Sequence, residues 1–569
     1  MRESLATLVR NALADAIAAG EIALTDVLEV TLERPRDPSH GDWATNVALV
    51  AAKAAGMSPR ALAEVVAARI AGHPDVASVE VAGPGFINLR LSDSALQHIA
   101  VEVREAGADW GRVDLGHGKR AQVEFVSANP VGPMHVGHGR WAALGDSMAR
   151  VLAHAGWKVQ REFYINDAGV QMDIFAKSVA ARYLEHCGVA VPFEDEWYQG
   201  TYIAEIADEI CEQEGDAWAK ADPAEREAHF REKAYAQVLE HLKHVLHGMG
   251  VDFDVWFSER SLHDKDADGR DAVDRAIDAL REAGFVYEQD GATWFASTRF
   301  PEYGDDKDRV LRKSDGELTY FASDIAYHAD KFVRGMDRVI DIWGADHHGY
   351  VARMKAACAG LGYPGQVEMV IGQLVTLLRN GEVVRMSKRT GEMVTFEELL
   401  DEVGADAARY FFLRRSTDQP LDFDIGLAKE QSSENPVYYV QYAHARICSI
   451  LRKAAGTPDT DESADATAAR VVPADSDLSP LADPAELTLL RKLAEFPEVV
   501  ELSAERLAPH VLTTYAEALA AVFHQFYTRC QVVSDDAALM GARLALVDAS
   551  RITLANVLGL LGVGAPERM

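Results

Sequence analysis

Two histidines, His135 and His138, stand three residues apart in the segment Ser127-Ala-Asn-Pro-Val-Gly-Pro-Met-His135-Val-Gly-His138-Gly-Arg140. An apolar strand pattern, 121–126, precedes them, and a helix is expected to begin near Arg140. Where a strand becomes a helix, free backbone N–H groups and the helix dipole favour an anion such as phosphate. Gly132, Gly137 and Gly139 let a nucleotide approach the backbone closely. Two imidazoles there can donate hydrogen bonds to phosphoryl oxygens as charge develops in a transition state. An isolated His-x-x-His is more often a helix cap or a core pair. The flanking Asn-Pro, Gly-Pro and Gly-His-Gly turns, and a second motif downstream, therefore carry the chemical reading.

That second motif is Val383-Val-Arg385-Met386-Ser387-Lys388-Arg389-Thr-Gly391, a basic loop bounded by glycine. Its cations can reach the β- and γ-phosphates of a nucleotide, and a loop can close during a reaction. Elsewhere such a run reads as solvated surface. Here it lies at the far end of the same α/β region as the histidine pair. A third cluster, Asp346-His347-His348, follows an apolar strand pattern at 339–343. Ligands of open α/β sheets gather at such C-terminal strand ends, so Asp346 and His347 are candidate pocket residues. Two adjacent histidines without a third ligand at clear spacing are weak metal evidence, and no protein metal site is expected.

Positioning these groups requires a parallel sheet with crossover helices. Strand patterns at 122–126, 160–164, 293–295, 319–321, 338–343 and 368–371 alternate with helix patterns across 118–400. A helix-rich, acidic stretch near 168–250 reads as an insertion between two halves of that sheet. Residues 1–112 form a separate small α/β unit: a helix pattern (Leu5, Leu8, Val9, Leu13, Ile17), a turn-rich loop, then strands at 76–81 and after Gly85. Residues 405–569 read as nearly all helical, with a mobile surface loop at 455–485, where large apolar side chains are scarce.

A chain of 569 residues exceeds one core, so several domains are expected. Five cysteines are scattered without a Cys-x-x-Cys pair, which argues against a zinc ribbon or a disulfide scaffold and fits a reducing cytoplasm. The first residues carry no apolar signal core, and no stretch is expected to reach the length of a membrane span. A net charge of −32 argues against a general nucleic-acid footprint. It leaves room for a local basic track, so an RNA partner must rest on motifs.

The two motifs together resemble the signature sequences of class I aminoacyl-tRNA synthetases, and the local sequences resemble the bacterial arginyl-tRNA synthetases. The resemblance runs over essentially the whole chain. It includes Ser39-His-Gly-Asp-Trp-Ala-Thr-Asn46 and Gly83-Pro-Gly-Phe-Ile-Asn88 of an additional N-terminal domain. At the other end it includes Asn435-Pro-Val-Tyr438-Tyr439-Val-Gln-Tyr442-Ala-His-Ala-Arg446 of a helical anticodon-binding domain. The second motif departs from the class pattern, which opens with Lys where this chain has Arg385. Arginine keeps the charge but not the compact ammonium.

The resemblance implies a Rossmann-like catalytic domain that joins L-arginine to tRNA-Arg with ATP. Magnesium would travel with the nucleotide. His135, His138 and Lys388 would be catalytic, and Gly137, Met386, Ser387 and Arg389 would join them around ATP. The resemblance places the guanidinium ligands at Glu259 and Asp324. Tyr320 and Asp324 are four apart and would share a helix face, so the ring could stack on the guanidinium. Ser127 and Asn129 resemble the ligands of the α-amino group, with Glu124 just upstream. Tyr438, Tyr439 and Tyr442 are candidates for stacking on anticodon bases, or equally for helix core, and Asn46 marks the N-terminal tRNA-contacting unit. The family expectation is a cytoplasmic monomer that activates arginine only with tRNA bound.

Three rivals are weaker. A dinucleotide-forming nucleotidyltransferase shares the histidine chemistry but not the helical C-terminal third. A non-catalytic RNA-binding relative would be expected to lack His135, His138 or Lys388, and all three are present. A synthetase for another amino acid would not need both Glu259 and Asp324, nor carry this N-terminal unit.

Overall fold

The computed structural model describes residues 1–384, 394–473 and 475–569. The N-terminal unit places strands β1 (Trp43–Thr45), β2 (Val76–Ala82) and β3 (Phe86–Leu91) in one antiparallel sheet, order β1-β3-β2. Helices Arg2–Ala18, Pro59–Ile70 and Asp93–Ala106 accompany it. Ser58 and Ser92 start two of them, each accepting a backbone N–H with its hydroxyl. Asp42, from the first family motif, accepts from the Leu91 N–H and from Arg491 Nε, which ties the unit to the C-terminal helices.

The central sheet begins with β4 (Arg120–Glu124), β5 (Lys158–Ile165) and β6 (Val255–Ser258). Strands β7 (Val286–Gln289), β8 (Ala292–Phe295) and β9 (Arg309–Arg312) then form a separate antiparallel sheet, so the strand expected near 293 does not belong to the parallel one. Strands β10 (Arg338–Gly344) and β11 (Val367–Gly372) return to the central sheet. Its order is β11-β10-β4-β5-β6, and every neighbouring pair is parallel. The helix Val136–His154 packs on β4 and the residue after it so closely that a Cβ on Gly145 would collide with the Phe125 ring. The insertion between β5 and β6 holds helices Val170–His186, Thr201–Glu214 and Pro223–Gly248, with Phe175, Tyr183, Ile203 and Phe230 in its core.

Four expectations are corrected. The helix after the histidine pair starts at Val136, with His135 as its N-cap, rather than near Arg140. The stretch 319–321 is not a strand: Thr319 caps the helix Tyr320–Val333, whose burial of Phe321, Ile325 and Phe332 follows the helical period. The α/β part does not end near 400. After β12 (Val375–Arg379) and β13 (Glu382–Val383), β14 (Leu421–Asp424) pairs parallel with β12. The stretch 455–485 is not one loop, because the helix Ala464–Val471 lies within it, capped by Ser463. Its core contacts are Ala464, Thr467 and Ala468, small side chains that give little hydrophobic signal. Arg104 and Gln97 of the N-terminal unit donate to the Val472, Pro473, Ser479 and Leu481 carbonyls.

The C-terminal helices also include Ala405–Leu413, Ile425–Lys429, Pro436–Ala454, Pro484–Ala494, Phe496–Arg506, His510–Arg529 and Ala537–Leu561. Against the sequence expectation, Ala537–Leu561 is long and apolar enough to cross a membrane, but 78% of its apolar window is buried inside the fold. Its apolarity is that of a core helix.

Candidate active site

The chain leaves β4 for β5 on one side and later returns to β10 on the other. This reversal opens a crevice at the C-terminal strand ends. A cavity of about 820 Å³ fills it, walled by the β4 turn, the histidine pair, the end of β10 and the start of the insertion.

Just past β4 the backbone turns through two left-handed residues, Val126 (φ 69°) and Ser127 (φ 42°). Such non-glycine positions are costly and persist where surrounding bonds fix them. Here the Ser127 hydroxyl donates to Glu124 Oε1 at 2.9 Å and accepts from the Tyr164 N–H at 3.1 Å. Asn129 donates to Gln171 of the insertion, and the Tyr202 hydroxyl donates to the Val131 carbonyl. The insertion therefore holds the first motif from outside.

His135 and His138 stack at 3.7 Å. The His135 N–H donates to His138 Nδ1 at 3.2 Å, which leaves the His138 Nε2–H to donate. Burial, and then the neighbouring His135, push His138 down to about 3. At neutral pH it is a neutral donor, offering a dipole instead of a full charge. Gly137 has to be bare, since a Cβ there would meet the His135 ring at 2.9 Å. Trp141 packs edge-on to His138 at 5.5 Å, over the paired strand-end glycines Gly344 and Gly372.

The opposite wall is acidic. The Tyr350 hydroxyl donates to Asp324 Oδ2 at 2.7 Å. Tyr164 stands beside Glu259, and the Asn166 amide donates to Glu259 Oε2 at 2.9 Å. Burial raises both carboxyls above their ordinary range, and Asp324 raises Glu259 further, while the neighbouring tyrosines oppose the rise. Among the described residues neither carboxylate has an ion pair with lysine or arginine. A wall of this kind is stabilised by a cation that brings planar N–H donors.

Of the sequence candidates, Glu124, Ser127, Asn129, His135, His138, Asp324, Asp346 and His347 line the cavity. Asp346 and His347 stand exposed at its mouth. Glu259 reaches it through Tyr164 and Asn166. Tyr320 does not line it: this first residue of its helix is 78% exposed, and Tyr350 is the tyrosine that bonds Asp324. Arg385, Met386, Ser387, Lys388 and Arg389 lie outside the described residues. The chain that follows them is placed, however, because Thr395 pairs with His135 and the Phe396 N–H donates to the Met134 carbonyl.

The sequence reading missed Tyr164, Asn166, Trp141, Tyr202 and Tyr350. It also missed a buried polar stripe, Tyr327, His328 and Lys331, on the helix that carries Asp324, continued by the half-buried Arg334 just past its end. Helical spacing of polar residues within a buried segment, and Asp341 inside the apolar run Val339–Trp343, were the available signals.

Family models match all three units: "Arginyl tRNA synthetase N terminal domain" over 3–91, "tRNA synthetases class I (R), catalytic domain" over 103–421, and "DALR anticodon binding domain" over 440–569. An arginine–tRNA ligase of Heliobacterium modesticaldum is 48% identical, covering 100% of this chain and 99% of its own length. One from Geobacillus thermodenitrificans is 48% identical with the same coverage. The chain belongs to the arginyl-tRNA synthetase family. The solved arginyl-tRNA synthetase of Thermus thermophilus superposes with a TM-score of 0.71 at 25% identity, covering 100% of both chains.

In this arginyl-tRNA synthetase fold the C-terminal tyrosines divide between two environments. Tyr439 packs on the helical core and against His524 at 5.3 Å. Tyr438 and Tyr442 stack on one another at 6.1 Å, and Arg446 bonds the Tyr442 hydroxyl while its guanidinium lies over Tyr442 and Tyr527. Asn46 is exposed at the start of the helix Val47–Ala55.

Proposed function

We propose that this chain is an arginine–tRNA ligase whose reaction takes place in the cavity at the ends of β4 and β10. The arginine carboxylate attacks the α-phosphorus of ATP, the bond to the β-phosphate oxygen breaks, and pyrophosphate leaves. A terminal adenosine hydroxyl of tRNA-Arg then attacks the activated carbonyl and releases AMP. No covalent enzyme intermediate is needed, because positioning and charge stabilisation supply the catalysis.

The observation that carries this reading is the pair of carboxylates across the cavity from the stacked histidines, Asp324 half-buried in its wall and Glu259 buried behind Asn166, both held by uncharged donors. The pair suits a guanidinium, whose charge offsets the burial that raises both carboxyls. Glu124, Ser127 and Asn129 take the amino end. His138 donates from Nε2 to the developing phosphate charge, and its neutral state spares the site an ion that must be desolvated. Lys388, with Met386, Ser387, Arg389 and Arg385, serves the leaving pyrophosphate. Magnesium belongs with the nucleotide oxygens. Tyr438 and Tyr442, with Arg446, offer faces to splayed anticodon bases, while Tyr439 packs half-buried against the helical core. Asn46 and the N-terminal unit take the outer corner of the tRNA. The enzyme works as a cytoplasmic monomer, and tRNA must bind before arginine is activated.

The test is arginine-dependent ATP–pyrophosphate exchange with and without tRNA-Arg, with lysine as control. Exchange only when arginine and tRNA-Arg are both present is expected. Exchange without tRNA overturns the coupling, and none under any condition overturns the activity. His138→Ala should slow adenylate formation far more than it weakens ATP binding; equal losses would remove His138 from the transition state.

A further inference from the structure

Three carboxylates stand in one row across adjacent parallel strands: Asp341 of β10 is in register with Glu124 of β4, which is in register with Glu162 of β5. All are buried. The helix Tyr320–Val333 and the residue after it supply the countercharge. Lys331 Nζ bonds Glu124 Oε2 at 2.5 Å and Asp341 Oδ1 at 2.7 Å. Arg334 and the Tyr327 hydroxyl bond Glu162. His328 bridges Asp341 Oδ2 and the Asp324 carbonyl, each at 2.7 Å. Lys331 has no exposed surface at all.

Such a network costs much desolvation, and a packed apolar contact would dock the helix as well. Its position gives it a further use. Glu124 has one oxygen on Lys331 and the other on Ser127, at the cavity wall. Burial pushes Glu124 up, Asp341 and Glu162 push it further, and Lys331 is the cation that opposes them. Tyr164 from β5 and Tyr327 from the helix also face it and carry no charge.

We propose that Lys331 is a positioning residue for the amino-acid substrate: its ammonium, clamped between Glu124 and Asp341, keeps the Glu124 carboxylate charged and aimed at the cavity, where it takes the substrate α-ammonium. The same clamp joins the two ends of the pocket, since His328 continues it to the backbone of Asp324. This inference rests on the reading that the amino end of arginine meets Glu124.

The experiment measures KM for arginine, KM for ATP and kcat against pH, with tRNA present, for Lys331→Met, Glu124→Gln and both together. Because Lys331→Met leaves unpaired buried charge, Lys331→Met with Asp341→Asn is included as a variant with one charge of each sign removed. In Lys331→Met and in the charge-balanced variant, KM for arginine should rise at least tenfold at pH 7. KM for ATP and kcat should change less than threefold. KM for arginine should then fall as pH rises, with a midpoint above that of the wild type, because Glu124 must lose its proton to bind. Glu124→Gln should raise KM without that pH dependence, and adding it to Lys331→Met should abolish the dependence, which separates Glu124 from His328. A folded charge-balanced variant with arginine KM within twofold of wild type overturns the proposal, as does a loss confined to kcat or a pH dependence that survives Glu124→Gln. A wild-type KM in Glu124→Gln overturns the assignment of the amino end, and the proposal with it.

Discussion

Helices Tyr320–Val333 and Ala537–Leu561 are both packed into the interior, and they differ in how much of that contact is charged. The first sets Tyr327, His328 and Lys331 against a row of buried carboxylates. The second buries mainly apolar side chains, Leu546, Leu554, Val557, Leu558 and Leu561, with one buried ion pair, Asp548 and Arg551, among other helices. Apolar burial is non-directional and contributes stability at little risk. Buried charge contributes little net stability, but it fixes geometry and electrostatic potential. The charged helix carries Asp324 into the cavity, whereas the apolar one borders no reacting group. The difference teaches what buried charge is used for at the pocket: it fixes Glu124 and the backbone of Asp324, whereas a buried pair such as Asp146 with Arg409 serves packing elsewhere.

The comparison breaks if the apolar helix controls catalysis or if the charged one only holds the fold. The largest expected effect is Leu554→Ala. A fully packed leucine cut to alanine costs about 2–5 kcal/mol. The melting temperature should fall by several degrees, while kcat/KM at a temperature where the variant stays folded remains within twofold. A large loss of kcat/KM in the folded variant would erase the distinction.

Next comes Asp324→Asn. Asparagine can still accept from Tyr350, so the melting temperature should hold, yet the charge facing the guanidinium is gone. A charge-assisted pair is worth about 1.5–3 kcal/mol, so KM for arginine should rise roughly 10- to 100-fold with KM for ATP unchanged. Tyr350→Phe sharpens the picture at smaller scale. It removes one neutral donor to Asp324, worth about 1 kcal/mol, so KM for arginine should shift by about fivefold.

The smallest effect belongs to a charge cluster at the surface. Glu402, held by Arg379 and Lys429, is pushed down to about 2, first by the Arg379 hydrogen bond. A depressed carboxylate adds stability that is present above its unfolded value, near 4.5, and is lost as pH falls through 2. Because Glu402 is solvated, Glu402→Gln should cost less than about 1 kcal/mol, and thermal melts at pH 7 and pH 3 should show almost no difference between variant and wild type.

Much of the site was legible before any fold was known. His135 and His138 announced themselves through turn chemistry, and the order of strands and helices pointed to a parallel sheet. The misreadings have specific causes. Tyr320 and Asp324 do share helical spacing, but Tyr320 begins its helix and stands in solvent. Spacing gives a common face without saying where that face ends. The helix Ala464–Val471 was invisible because alanine and threonine bury themselves without a hydrophobic stripe. Strand β14 was hidden behind helical sequence on both sides, and its pairing with β12 spans more than forty residues.

By itself the sequence determined the chemical vocabulary: two histidines at a strand–helix turn, a basic loop and three units in order. These follow from local spacing, dihedral preference and periodicity, which act within a few residues. Only the tertiary structure decided which acids meet in one cavity, that Tyr350 bonds Asp324, that His138 is neutral, and that Lys331 is clamped behind Glu124. Those outcomes depend on burial and on partners from distant strands, and desolvation, which sets the charge of each group, exists only once the chain has closed around it.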